Sequence, residues 1–247
     1  MKPFLILQLR PETEASDDEY RAFLDKGGLS ADQAHRIRLD CETIPDDLDL
    51  NDYSGVIVGG GPGCVSDAPA DKTDTEARIE AAVLAMMPQI CEQDMPFMGC
   101  CYGIGVLAHH LGATVNKSRY SEPVGPTLCQ LTEQGNADAL LAGFPMEFNA
   151  FVGHKEALQE LPQGCVHLLT SPACRYQMIR YRDNVYATQF HPEADSHGFE
   201  LRIGVYKNSG YFAPEDAARL VEMCHATDVH QPEQLLRNFV RKYSTPA

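Results

Sequence analysis

Hydrophobic positions follow two rhythms along the first half of the chain. Short continuous apolar runs, "FLILQL" (4–9), "YSGVIVGGG" (53–61) and "MPFMGC" (95–100), have the length and glycine borders of buried strands. "HRIRLDC" (35–41) alternates polar and apolar and suits a strand with one face buried. Between them lie helix patterns. "DDEYRAFLDKGG" (17–28) places acidic residues early and glycines late, as a helix prefers. "DTEARIEAAVLAMMPQICEQ" (74–93) is long and rich in Ala, Glu and Met, and "YGIGVLAHHLGA" (102–113) ends at Gly112. Strand then helix, repeated, predicts a parallel sheet covered on both faces.

The second half has more strands. "EPVGPTLCQLT", "FVGHK", "CVHLLTS", "YQMIRYR" and "VYATQFHPE" are short and separated by turn residues, and "APEDAARLVEMCHA" and "PEQLLRNFVRKY" read as closing helices. The expectation is an α/β fold: an open, mostly parallel sheet with helices on both faces and a strand-rich second half. No Pro/Ser/Gly-rich linker or charge block divides residues 1–247, which predicts a single domain with a C-terminal helical extension.

Composition narrows the partners. A formal charge of -15 repels phosphate backbones and argues against nucleic acid. The opening "MKPFLILQLR" stops being apolar at Arg10, too soon for a signal peptide, and no run is long enough to span a bilayer. Nine cysteines without framework spacing predict reduced thiols and a cytoplasmic protein, with Cys41, Cys91, Cys129, Cys165, Cys174 and Cys224 as small core residues. Neither CxxC pairs nor zinc-type His spacing occurs, so no metal or cofactor is expected.

Three unusual stretches follow apolar runs and so fall at the carboxyl ends of strands, where open sheets place their sites. In "GCCYG", a strand that turns sharply into a helix presents one residue at its tip, and the residues two positions away must be small. Around Cys101 these are Gly99 and Gly103; around Cys100 they would be Met98 and Tyr102. Cys101 is therefore the candidate nucleophile, with a helix start beside it that favours a thiolate. In "QFHPE", extended chain would put His191 and Glu193 on one face, as base and orienter, the carboxylate fixing the ring and favouring its protonated form. In "GGGPGCVSD", glycines free backbone N–H groups to point at a ligand, as an oxyanion hole requires. The plainer alternatives are packed cysteines at a junction, a surface His–Glu pair and an ordinary turn.

Together, in this order, the three stretches resemble the class I (triad type) glutamine amidotransferase domain, particularly the form attached to GMP synthetases. The resemblance covers roughly residues 50 to 195. "FVGHKEAL" falls where that family carries a His-containing segment near the substrate, which brings in His154. The resemblance implies attack by Cys101 on the side-chain amide of glutamine, a γ-glutamyl thioester, His191 as base and then acid, and Glu193 as its orienter. It also implies an oxyanion and substrate site built from Gly61, Gly63 and Tyr102.

Two departures bear on the substrate. The family's Cys-x-Gly-x-Gln holds glutamine through its Gln, and here that position is Gly105. The family's His, small residue, Asp is replaced by His154-Lys155-Glu156. A vacated space at Gly105 predicts weak use of free glutamine, admission of larger amides, and a gain for glutamine in Gly105→Gln. The implied partners are a small-molecule glutamine or γ-glutamyl amide and a synthetase or other ammonia acceptor. The alternatives are a stand-alone γ-glutamyl amide hydrolase and a non-catalytic protein that kept the fold.

Overall fold

The structure, a computed structural model, describes residues 2–244. Its strands are β1 (Phe4–Gln8), β2 (Ala34–Arg38), β3 (Gly55–Val58), β4 (Phe97–Cys100), β5 (Val115–Asn116), β6 (Glu122–Leu131), β7 (Glu147–His154), β8 (Ala157–Leu158), β9 (Cys165–Thr170), β10 (Met178–Tyr181) and β11 (Val185–Thr188). Its helices are α1 (Thr13–Gly27), α2 (Asp74–Glu92), α3 (Tyr102–His110), the short α4 (Glu133–Ala137), α5 (Ser196–Val205), α6 (Ala217–Ala226) and α7 (Gln231–Tyr243).

Nine strands form one sheet in the order β2-β1-β3-β4-β11-β10-β9-β6-β7, and β5 pairs with β8 apart from it. The first five run parallel. From β11 onward each neighbour is antiparallel. This is the α/β architecture with a strand-rich second half that the pattern predicts.

Strand alternation divides the core into two layers. On β1, Leu5 and Leu7 face Ile79, Val83 and Met87 of α2 and Leu107 of α3. Phe4 and Ile6 face Phe23 of α1 and Leu235, Leu236 and Phe239 of α7. A strand buried on both faces reads as a continuous apolar run, which is why "FLILQL" shows no alternation. Thr73 caps α2 reciprocally with Glu76, and Gly28 ends α1 in the left-handed conformation (φ 68°).

Three expectations change. Helix α1 starts at Thr13, one turn before the acidic cluster. Helix α5, capped by Asp195, has little amphipathic pattern and was not anticipated. Of the cysteines assigned to the core, Cys91, Cys129, Cys174 and Cys224 are buried. Cys165 is half-buried, and Cys41 is exposed because β2 ends at Arg38 and the chain turns, Glu42 N–H donating back to Arg38 O. All nine thiols are free. Among the described residues no helix is long and apolar enough to cross a membrane.

Candidate active site

The carboxyl ends of β3, β4 and β11 meet at one place, and the three unusual stretches meet there with them. Cys101 occupies the step between β4 and α3 with φ 53° and ψ −94°, a conformation costly for a side chain other than glycine's. Its N–H donates to Thr188 O at the end of β11 (2.8 Å). The turn is tight: a Cβ on Gly99 would stand 2.9 Å from the Gly103 carbonyl carbon and from the Phe97 ring. A Cβ on Gly103 would meet only ordinary contacts, the nearest at 3.6 Å, so the demand for a small residue falls on Gly99. Cys100 lies in β4 and packs into the layer beneath α1 and α7, away from the cavity.

Strand β11 ends at Thr188, so His191 and Glu193 sit in a turn and not on an extended face. The turn still pairs them. His191 Nδ1 donates to Glu193 Oε1 (2.9 Å), which leaves Nε2 as the acceptor. His191 N–H donates to Phe151 O (3.0 Å), and the ring stands edge-on to Phe199 with centroids 5.8 Å apart. Glu193 is fully buried, with Arg202 Nη1 of α5 2.9 Å from Oε1. His191 and Cys101 line the same cavity.

Electrostatics overturn the expected thiolate and protonated ring. Burial pushes the Cys101 thiol up to about 12, which the nearby Arg10 guanidinium does not offset. Burial also pushes His191 below its ordinary value, which outweighs the opposing pull of Glu193. Burial raises Glu193, yet the His191 ring and the Arg202 charge prevail and hold it well below the usual carboxylate range. The resting pair is a neutral thiol and a neutral imidazole beside an ionised carboxylate.

The glycine loop closes one side. Gly60 N–H donates to Glu19 Oε1 (3.2 Å), a buried carboxylate also bound by Arg10 Nε (2.9 Å). A Cβ on Gly60 would stand 2.7 Å from both His191 Cε1 and Arg10 Nη2, so only glycine lets the loop lie against the imidazole. Gly61 and Gly63 line the cavity with Cys101. Tyr102 sends its hydroxyl away to Glu80 (2.8 Å). Its N–H opens α3, where a first-turn amide has no acceptor within the helix.

The expected vacancy at Gly105 is filled. Glu156 projects there, accepting from Val65 N–H and Ser66 N–H at 2.9 Å each. A Cβ on Gly105 would meet Glu156 Oε1 at 3.1 Å. Glycine at 105 and the longer acid at 156 thus fit one another. His154, expected at the substrate, has both ring nitrogens engaged: Nδ1 with Glu156 O (2.8 Å) and Nε2 with Glu122 Oε2 (3.0 Å). It braces the Glu156 segment from beneath.

Glu122, His154 and Cys174 bring ligand-type atoms together without any spacing signal, as do the exposed His197, Glu200 and His225. The Glu122 carboxylate is already occupied by His154, Thr127, Ser171 and Gln177. Sequence reasoning also missed Arg202 and Tyr211. Tyr211 reaches over the site, its hydroxyl donating to Pro62 O (3.2 Å). The one available signal was an arginine set among apolar residues in "FELRIGV".

The class-I glutamine amidotransferase family model matches residues 29–203. A glutamine-hydrolyzing GMP synthase of Geobacillus kaustophilus is 34% identical over 155 residues, 62% of this chain and 26% of that protein. One component of the glutamine-hydrolyzing GMP synthase of Thermoplasma volcanium, a separate polypeptide, is 28% identical over 193 residues, 75% of this chain and 87% of its own length. The chain thus spans about a quarter of the first relative's length and most of the second's. In fold it is similar to a glutamine amidotransferase of Thermotoga maritima, with a TM-score of 0.76 at 19% identity covering 98% of each chain. A glutamine amido transferase of Methylobacillus flagellatus gives 0.75 at 20%, covering 100% of this chain and 97% of its own. With the family model spanning well over half of its length, the chain belongs to the class-I glutamine amidotransferase family.

Proposed function

We propose that the protein hydrolyses a γ-glutamyl amide, glutamine being the simplest, through Cys101, His191 and Glu193. The observation that carries this is the hydrogen-bonded His191–Glu193 pair opening onto the cavity that Cys101 lines from a strained turn. His191 Nε2 takes the thiol proton as sulfur attacks the amide carbon, and Glu193 stabilises the imidazolium that forms. The carbonyl oxygen becomes an oxyanion, held by the Tyr102 N–H and backbone amides of the Gly61 loop. His191 then gives the proton to the leaving nitrogen. The C–N bond breaks, and a γ-glutamyl thioester remains. Water attacks the thioester, losing a proton to His191, and the thiolate leaves and recovers that proton. The products are an acid and an amine, ammonia when the substrate is glutamine.

Relatives named as one component of a GMP synthase support a synthetase partner as acceptor of that ammonia. A free-standing hydrolase is the second reading, favoured by room on the His191 side of Cys101. Assays of glutamate released from glutamine and from γ-glutamyl dipeptides test both. Cys101→Ser should abolish turnover of every amide accepted, and Cys100→Ser should keep most of it. Activity in Cys101→Ser would defeat the proposal.

A further inference from the structure

Cys101 has a second cavity beside it, distinct from the one that Gly105 and Glu156 line. It lies on the His191 side, with Phe199, Ile203 and Phe212 as apolar wall and Arg202 among its lining. The Arg202 side chain is only 6% exposed, yet none of its three nitrogens makes a hydrogen bond. Nη1 lies near Glu193, but its N–H is not directed at the carboxylate. Arg10 also lines this cavity, but Glu19 and the Tyr206 hydroxyl occupy it. A buried guanidinium with undirected donors is unusual, because such groups normally find acceptors. Its planar fork matches a carboxylate.

Position identifies what the carboxylate belongs to. His191 protonates the departing nitrogen, so the leaving group must lie on the His191 side of the sulfur. We infer that this cavity is a leaving-group subsite, in which Arg202 takes the α-carboxylate of an amino acid joined through its nitrogen to the γ-glutamyl group. The preferred substrates are then γ-glutamyl amino acids or peptides. The apolar wall receives the side chain of the departing residue. The reaction is the one described above: the thiol proton passes through His191 to the amino acid's nitrogen, the C–N bond breaks, and water completes hydrolysis to glutamate. The inference rests on the proposed role of Cys101, because that role defines which side the leaving group occupies.

The test compares γ-glutamyl-alanine with γ-glutamyl-ethylamide, which differ only by that carboxylate. Binding is measured calorimetrically to the full chain carrying Cys101→Ser, so no turnover is needed. The alanine compound should bind on the order of tenfold or more tighter, the usual worth of a charge-assisted hydrogen bond. The same preference should appear in kcat/KM of the unmodified protein. Arg202→Lys retains a cation for Glu193 but removes the fork. It should reduce the preference to within about threefold, whatever it does to overall activity. A purely structural Arg202 would weaken both compounds alike and leave their ratio unchanged. Equal binding of the two ligands, or a preference that survives Arg202→Lys, would overturn the inference. Should Arg202→Lys not fold, the ligand pair on Cys101→Ser still decides. Glutamine turnover without discrimination would sink this subsite alone. Inert amides throughout would instead sink the proposed chemistry, with the binding ratio still reporting on Arg202.

Discussion

The two sides of Cys101 are built differently. On the Gly105 side a carboxylate, Glu156, is fixed by two backbone amides, and its segment is braced by a histidine with no free nitrogen. On the His191 side a guanidinium, Arg202, is buried with its donors undirected. One side has its hydrogen bonds already made and is set for the cationic amino end of a γ-glutamyl group. The other side lacks an acceptor. A change of residue type at a site is therefore read best through what fills the space. The loss of a side chain at 105 and the extra methylene at 156 look like two departures in sequence and are one arrangement in space.

The strongest way to break this comparison is to disturb the fitted side. Gly105→Gln drives a side chain into Glu156, whose carboxylate stands 3.1 Å from where the Cβ would go. Overpacking of this kind costs about 1–3 kcal/mol, so kcat/KM for glutamine should fall on the order of tenfold to a hundredfold. This reverses the expectation drawn from the sequence, where Gln at 105 restores a lost contact. Adding Glu156→Asp should recover much of the loss, because the two residues share one space and their effects are not additive. Steady-state kinetics of both single variants and the double variant decide. A Gly105→Gln protein that uses glutamine better on its own would show that the space is free after all.

A smaller effect sharpens the electrostatic half. His191 lies below its ordinary value through burial and remains neutral at neutral pH. Protonation removes the acceptor for the thiol proton. kcat/KM should therefore hold steady through neutrality and decline only as the pH falls below the usual histidine range, through the lowered value. On the alkaline side the thiol, pushed up to about 12, should contribute no ionisation near neutrality. The pH–rate profile, with thiolate absorbance in the ultraviolet, checks both limbs. A thiolate at neutral pH in the free protein would contradict the neutral pair.

The order of elements was legible because each strand of the parallel half is buried on both faces and each helix between them is long. The elbow was legible because its demand is local: Gly99 must lie within two residues of Cys101. The His191–Glu193 pair was legible for the same reason, though a turn and not a strand joins them. Glu156 filling the space at Gly105 was not, since the contact links residues far apart in the chain. Arg202 was hidden in a ten-residue helix without amphipathic pattern. The protonation states were misjudged because the helix start favours a thiolate while burial opposes it, and sequence carries no measure of burial. Cys41 was misplaced by the same lack, lying past the end of β2.

The central claim is that Cys101, and not its neighbour, reacts with a γ-glutamyl ligand between these two cavities. Its most direct test is peptide mass spectrometry after treatment with a diazo-ketone analogue of glutamine. The account predicts one adduct per chain, on Cys101, absent from Cys101→Ser and retained in Cys100→Ser. An adduct on Cys100, or no adduct with the protein folded, would contradict it.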